Sequence, residues 1–182
     1  RDSLTTAGSI QLVKEAKKKG IEVTCEVTPH HISFTDRDLI DYNTNFKVNP
    51  PLRTEKDRVA LIKGIKDDTV DVIATDHAPH LDTRKNREFD LAPFGMIGLE
   101  TAVPAVITEL YLKRHITLLK LVEKLSLNPA KILKREDIGR IQIGKKADLV
   151  ALDVEKEKVI DTDFIISKSK NSPFLGKKLR GF

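Results

Sequence analysis

Val72-Ile73-Ala74-Thr75-Asp76-His77-Ala78-Pro79-His80 is the stretch on which the fold turns. Four apolar or small residues lead into one carboxylate and two imidazoles, and Pro79 stops any helix from carrying on. An apolar run that ends abruptly in ionisable side chains reads as a buried strand with a site at its C-terminal end, where α/β barrels keep their chemistry. A strand running into a plain polar turn would have a similar composition. Clustering tilts the reading towards a site: four of the five histidines fall in two short groups, His30-His31 and His77/His80, each directly after a strand-like run. Imidazole beside carboxylate is also the side-chain chemistry of metal centres.

Working outward, Val70 to Thr75 is the buried strand. The helix before it is capped by Thr54 and Asp57 and runs to about Lys66, with Val59, Ile62 and Ile65 inward. Between the two histidine groups, Thr35 and Asp38 form a capping-box pattern for a short helix, Asp36 to Asp41. Phe46 to Arg53 is too Pro-rich for helix or sheet and reads as a stiff loop. Further upstream lies a β-branched run, Ile21 to Val27. Before it, a helix opens on the hydroxyls of Thr5, Thr6 and Ser9 and closes on Lys17-Lys18-Lys19-Gly20, its cations at its negative end. Helix, strand, helix, strand, with all-apolar strands, is the pattern of a parallel α/β sheet.

Downstream, Leu81 to Pro93 is a long polar loop that suits a lid or a surface insertion equally. Gly95-Met96-Ile97-Gly98 leads into a helix over Leu99 to Leu112, with a kink expected at Pro104. Leu118 to Leu127 is a second amphipathic helix, and Asn128-Pro129 begins a short one through Leu133. After Ile138 the texture changes. Gly139 to Asp153 alternates and turns like antiparallel strands, which places a soft boundary near Lys134 to Asp137.

The balance of 32 basic and 27 acidic residues gives a net charge of +5, and aromatic residues make up only 5%. Lysines spread along helices, without interleaved aromatics, describe a solvated surface and argue against nucleic-acid binding. The lone Cys25 excludes an intramolecular disulfide framework and suits a cytoplasmic setting. No run approaches a membrane span, and neither a signal peptide nor a membrane partner is expected. The chain opens on Arg1 and enters a helix within a few residues, as a piece of something longer would.

Taken together, the motifs resemble the C-terminal half of dihydroorotases of the long, amidohydrolase-type class. The resemblance covers nearly the whole chain. It rests on Glu26-Val27-Thr28-Pro29-His30-His31, Lys47-Val48-Asn49-Pro50-Pro51-Leu52-Arg53, Ile73 to His80 and Ala92-Pro93-Phe94-Gly95. The Asn-Pro-Pro-Leu-Arg and Thr-Asp-His-Ala-Pro-His strings are specific, since related hydantoinases and allantoinases vary at both. The implied fold is α/β: residues 1–137 are the C-terminal part of an amidohydrolase TIM barrel, with its last two strands and helices. Residues 138–182 are then part of a small β-sandwich, to which Gly144 to Asp153 returns as a strand.

The implied reaction is the reversible, zinc-dependent closure of N-carbamoyl-L-aspartate to dihydroorotate in pyrimidine biosynthesis. Asp76, at the end of the eighth barrel strand, would ligate zinc and serve as general base and acid. Asn49 and His80 match positions that hold the substrate, and Phe94 and Gly95 match positions whose backbone touches the pyrimidine ring. His30, His31 and His77 fall outside the family's metal set and are expected to fix loops by hydrogen bonding.

The departures are as informative as the matches. The family's remaining metal ligands would precede Arg1, except one histidine of a His-x-Ser-Thr string, near which Ser3-Leu4-Thr5-Thr6 stands. One ligand is short of the three or four that zinc takes. Three accounts follow: part of an active enzyme completed by the remainder of the dihydroorotase chain, half of a split enzyme, or a non-catalytic subunit that scaffolds aspartate transcarbamoylase. Among enzymes the alternative is a cyclic amidase of dihydropyrimidinase type, against which Asn49 to Arg53 argues.

Overall fold

A computed structural model describes residues 3–182. The first helix, α1 (Ala7–Lys18), starts where its hydroxyls allow: Thr6 Oγ1 accepts the Ser9 amide at 3.1 Å, and Ser9 returns a hydrogen bond to the Thr6 carbonyl. Lys17 and Lys18 fill its last turn, and Gly20 at φ 76° breaks it. Strand β1 (Glu26–Val27) pairs in parallel with β2 (Val72–Ile73), Glu26 opposite Val72 and Val27 opposite Ile73. Both strands are shorter than the runs Ile21 to Val27 and Val70 to Thr75. Ile21 and Glu22 face solvent, and the Cys25 amide donates to the Asp71 carboxylate instead of a ladder carbonyl. Further backbone bonds, Ala74 to Val27 and Leu4 to Glu26, carry the parallel arrangement past both ends and add residue 4 on the far side of β1.

Between the strands lie α2 (Pro29–Ser33) and α3 (Glu55–Lys66). The sequence reading passed over α2, although Thr28-Pro29 carries its signature: a threonine whose hydroxyl accepts the His31 amide, then proline in the first turn. The Thr35 box forms a single tight turn, Asp36–Leu39. Helix α3 begins at Thr54 as expected, and Asp57 also accepts the Ala7 amide at 2.8 Å, tying the starts of α1 and α3 together. Its inward face is Leu61, Ile62 and Ile65, whereas Val59, expected inside, is 52% exposed. These residues, with Ile10, Val27, Ile73 and Ile107, make the first of two cores. Full burial of each such side chain is worth about 1.5–3 kcal/mol.

After β2, α4 (Asp82–Lys85) interrupts the polar loop, and α5 (Leu99–Val106) follows. Helix α5 runs through the buried Pro104 and widens into a π-turn over Ile107–Tyr111. The missing proline amide thus costs one hydrogen bond without ending the helix. Similarly, α6 (Leu118–Val122), a π-turn over Glu123–Leu127 and α7 (Asn128–Ile132) run on continuously, so Asn128-Pro129 continues a rod rather than starting one.

The expected strands over Gly139 to Asp153 are not formed. Ile141, Ile143 and Val150 are 88%, 102% and 82% exposed, and among the described residues no strand lies alongside to complete a ladder. The C-terminal pairing is instead β3 (Glu157–Val159) antiparallel to β4 (Lys178–Arg180). From there Ile160, Ile165, Phe174 and Leu179 return to pack with Phe34, Phe46, Val48, Met96 and Ile97 in a second core. That core lies directly beneath the loops at the C-terminal ends of the parallel strands.

Candidate active site

Beyond Ile73 the chain leaves β2, and Asp76 takes a left-handed conformation, φ 49°. Aspartate tolerates this region better than most side chains. The turn aims the loop back across the strand ends. Asp76 makes no side-chain hydrogen bond or ion pair among the described residues, and the residue is exposed. Even so, loss of water around its carboxyl, and then the Glu26 carboxylate, raise its pKa above the ordinary aspartate value.

His77 is engaged through one ring nitrogen. Its Nδ1 accepts the Gly98 amide at 3.1 Å and the Leu99 amide at 3.3 Å, closing the start of α5. His80 crosses to the opposite wall, where Nε2 donates to the Phe94 carbonyl at 2.8 Å. Only Nδ1 remains for a ligand, and it donates only when the ring is doubly protonated.

Gly95 lies beside this bond at φ 124°. A Cβ there would sit 2.6 Å from Ala78 Cβ and 3.1 Å from His80 Nε2. Glycine is therefore required by the protein's own walls. The Gly95 amide donates to the Lys47 carbonyl at 2.8 Å, and Ala78 donates to Met96, so the segments carrying Asn49, His80 and Phe94-Gly95 are laced together. Asn49 itself is exposed, with no side-chain bond of its own. Its loop is fixed by His31, whose Nε2 donates to the Pro50 carbonyl at 2.9 Å while Nδ1 accepts the Thr28 hydroxyl at 2.6 Å. Burial lowers His31 to about 4, and lowers His30 well below the usual range. His30 is buried with Nε2 unpartnered.

Three residues that hold this site carried no local signal. Asn171, 2% exposed, accepts the His80 amide through Oδ1 at 3.1 Å and donates through Nδ2 to the Ala78 and Gly95 carbonyls. In sequence it reads as a turn residue before Ser172-Pro173. Lys47 and Lys85 read as ordinary surface cations, yet they are 7% and 2% exposed.

Among the described residues, no three histidine, cysteine, aspartate or glutamate side chains lie close enough to hold a metal ion. Asp76 and Glu26 put two oxygen donors in one neighbourhood, which is short of a zinc shell. The chain's own residues therefore do not amount to a zinc site. No helix among the described residues is long and apolar enough to cross a membrane.

The sequence profile of the amidohydrolase family matches residues 3–175. The chain belongs to the amidohydrolase family. It is 51% identical over 179 residues to a dihydroorotase of Carboxydothermus hydrogenoformans and 49% identical over 178 residues to one of Acetivibrio thermocellus. Both matches cover 98% of this chain and 42% of the relative. Among solved structures, an L-hydantoinase (dihydropyrimidinase) from Arthrobacter aurescens superposes with a TM-score of 0.90 at 27% identity, over 98% of this chain and 41% of the hydantoinase. The chain thus spans well under half the length of the amidohydrolases it matches. Its parallel pair and helices are an open part of their TIM barrel.

Proposed function

We propose that this chain is the C-terminal portion of a dihydroorotase, with residues 1–137 completing a barrel and 138–182 contributing to a β-sandwich. The observation that carries the reading is the lacing of the Asn49, His80 and Phe94-Gly95 segments around the C-terminal end of β2, where Asp76 stands unpaired. Identity of 51% to a dihydroorotase against 27% to a hydantoinase favours this substrate over a neutral cyclic amide. Asp76 takes a proton from the water that attacks the dihydroorotate amide carbon. It passes that proton to the ring nitrogen as the carbon–nitrogen bond breaks, and N-carbamoyl-L-aspartate forms. Ring closure runs the same transfers backwards. Asn49 and His80 hold the acidic substrate, and Phe94 and Gly95 line its ring.

Zinc is what the family implies. This chain would supply Asp76 as one ligand, the rest coming from the remainder of the protein in a cytoplasmic enzyme of pyrimidine biosynthesis. The reading is tested by steady-state kinetics in both directions on the full-length protein. Asp76→Asn keeps an oxygen at the same place but cannot carry the proton, so kcat should fall about 10²–10⁴-fold both ways. Near-normal kcat with a full complement of metal would overturn the assignment. A second reading rests on Ser3, which stands near the place of a metal histidine. It makes the protein a non-catalytic scaffold for aspartate transcarbamoylase, and a full-length protein without bound metal or turnover would support it.

A further inference from the structure

Lys47 and Lys85 are both buried, and neither has a carboxylate within ion-pair distance among the described residues. Buried ammonium groups are costly unless hydrogen-bonded, so their acceptors matter. All of them are backbone carbonyls of one loop. Lys47 Nζ donates to Phe89 at 2.6 Å and Asp90 at 2.9 Å; Lys85 Nζ donates to Pro93 at 3.1 Å and Gly95 at 2.9 Å. The Lys47 ammonium also lies over the Phe94 ring, 4.6 Å from its centroid, and over Phe89 at 5.3 Å. Thr44 fixes the clamp from behind, its hydroxyl donating to the Lys85 carbonyl at 2.6 Å. A polar segment that would otherwise be free to swing is thereby pinned along residues 85–95.

We propose that Lys47 and Lys85 are positioning residues that hold Phe94-Gly95 as a preset wall of the substrate site, so that this loop does not act as an opening lid. The inference rests on the proposed dihydroorotase reading for what the wall contacts, but the clamp itself can be measured without it. Neither lysine touches the reacting atoms; each acts through the carbonyls it holds. Methionine matches the length of lysine without its charge; it removes the cost of a buried ammonium but leaves the carbonyls that the ammonium held unpaired, so the midpoint alone does not discriminate and the split between KM and kcat does. A positioning role therefore separates from a merely structural one.

In the full-length protein, Lys85→Met and Lys47→Met should each lower the thermal midpoint by a few degrees at most. Amide hydrogen exchange over residues 86–95 should accelerate at least tenfold, and KM for dihydroorotate should rise about tenfold with kcat within threefold. Lys56→Met, at an exposed position with no side-chain partner among the described residues, is the control and should change none of these. Exchange that stays slow in both lysine variants would overturn the clamp, whatever the enzyme turns over. Fast exchange with unchanged KM would overturn the assignment of the wall to the substrate. A midpoint that falls in step with both kinetic constants would reduce the lysines to structural supports. If the unmodified protein turns over no dihydroorotate, the exchange measurement still decides whether the loop is clamped, and only the proposed function fails.

Discussion

At the residue scale, the loop that carries Asn49 is held from beneath by two buried imidazoles, His30 and His31. His31 is the clearest case, because its two ring nitrogens have opposite duties. Pro50 can only accept, so Nε2 carries the proton, and Nδ1 must then accept from Thr28. A second proton would make the Thr28 hydroxyl turn round to accept and, above all, place a charge in a buried setting, so burial lowers the ring to about 4. The unfolded ring titrates near 6.5, so between pH 6.5 and 4 the unfolded chain binds more protons than the folded one. The stabilisation is therefore full above pH 6.5 and lost as pH falls through 4, roughly 3 kcal/mol at most. Glutamine can still donate to Pro50 and does not titrate. The midpoint difference between the full-length protein and His31→Gln should thus narrow as pH drops from 7 to 4.5. A pH-independent difference would show that the ring is already charged or solvated. Comparing the two proteins cancels the acid loss of groups away from residue 31; His30, whose ring lies 4.6 Å from that of His31 and is lowered partly by it, is replaced by Gln in both proteins.

At the element scale, what matters is how the loops lean on one another. Gly95 fits only because residue 78 is small and residue 95 has no Cβ. Gly95→Ala should strain the left-handed backbone by about 1–3 kcal/mol and push the His80 ring off Phe94. KM should rise about tenfold, and Ala78→Gly should recover part of it by removing the atom 2.6 Å away. Unchanged kinetics in Gly95→Ala would mean that the two walls move freely. The elements most legible in the sequence were those whose cause is local: the Thr6 and Thr54 caps, the Gly20 stop, and the apolar run into Asp76. Asn171 was not legible, because its hydrogen bonds reach 91 and 93 residues back, and no neighbour in sequence signals that. Lys85 was not legible either: its surroundings in sequence are polar, and its surroundings in space are carbonyls of its own loop. The alternation over Gly139 to Asp153 does not become strands, because a strand needs a partner, and the described residues provide none.

At the scale of the whole molecule, the two parallel strands have an apolar trough along them, between α1 and α7, lined by Leu4, Val13, Val23, Cys25, Val72 and Ala74. Sheet edges of this kind offer unpaired backbone groups and apolar surface to any other chain. The exposed Ile141, Ile143 and Val150 add a second such surface. In the amidohydrolases that this chain matches, its length accounts for about two fifths, and its two parallel strands are an open part of their barrel. Produced alone, residues 1–182 should therefore bind an apolar fluorescent dye and associate as concentration rises, which sedimentation velocity reads directly. They should also show no dihydroorotate turnover with added zinc, because Asp76 and Glu26 together fall short of the three or four ligands zinc takes. Co-expression with the remaining barrel segment should abolish dye binding and restore turnover. A monodisperse, dye-silent chain that turns over dihydroorotate, with activity lost in Asp76→Ala, would refute this picture. It would mean that a working site assembles from this chain alone, through copies of itself.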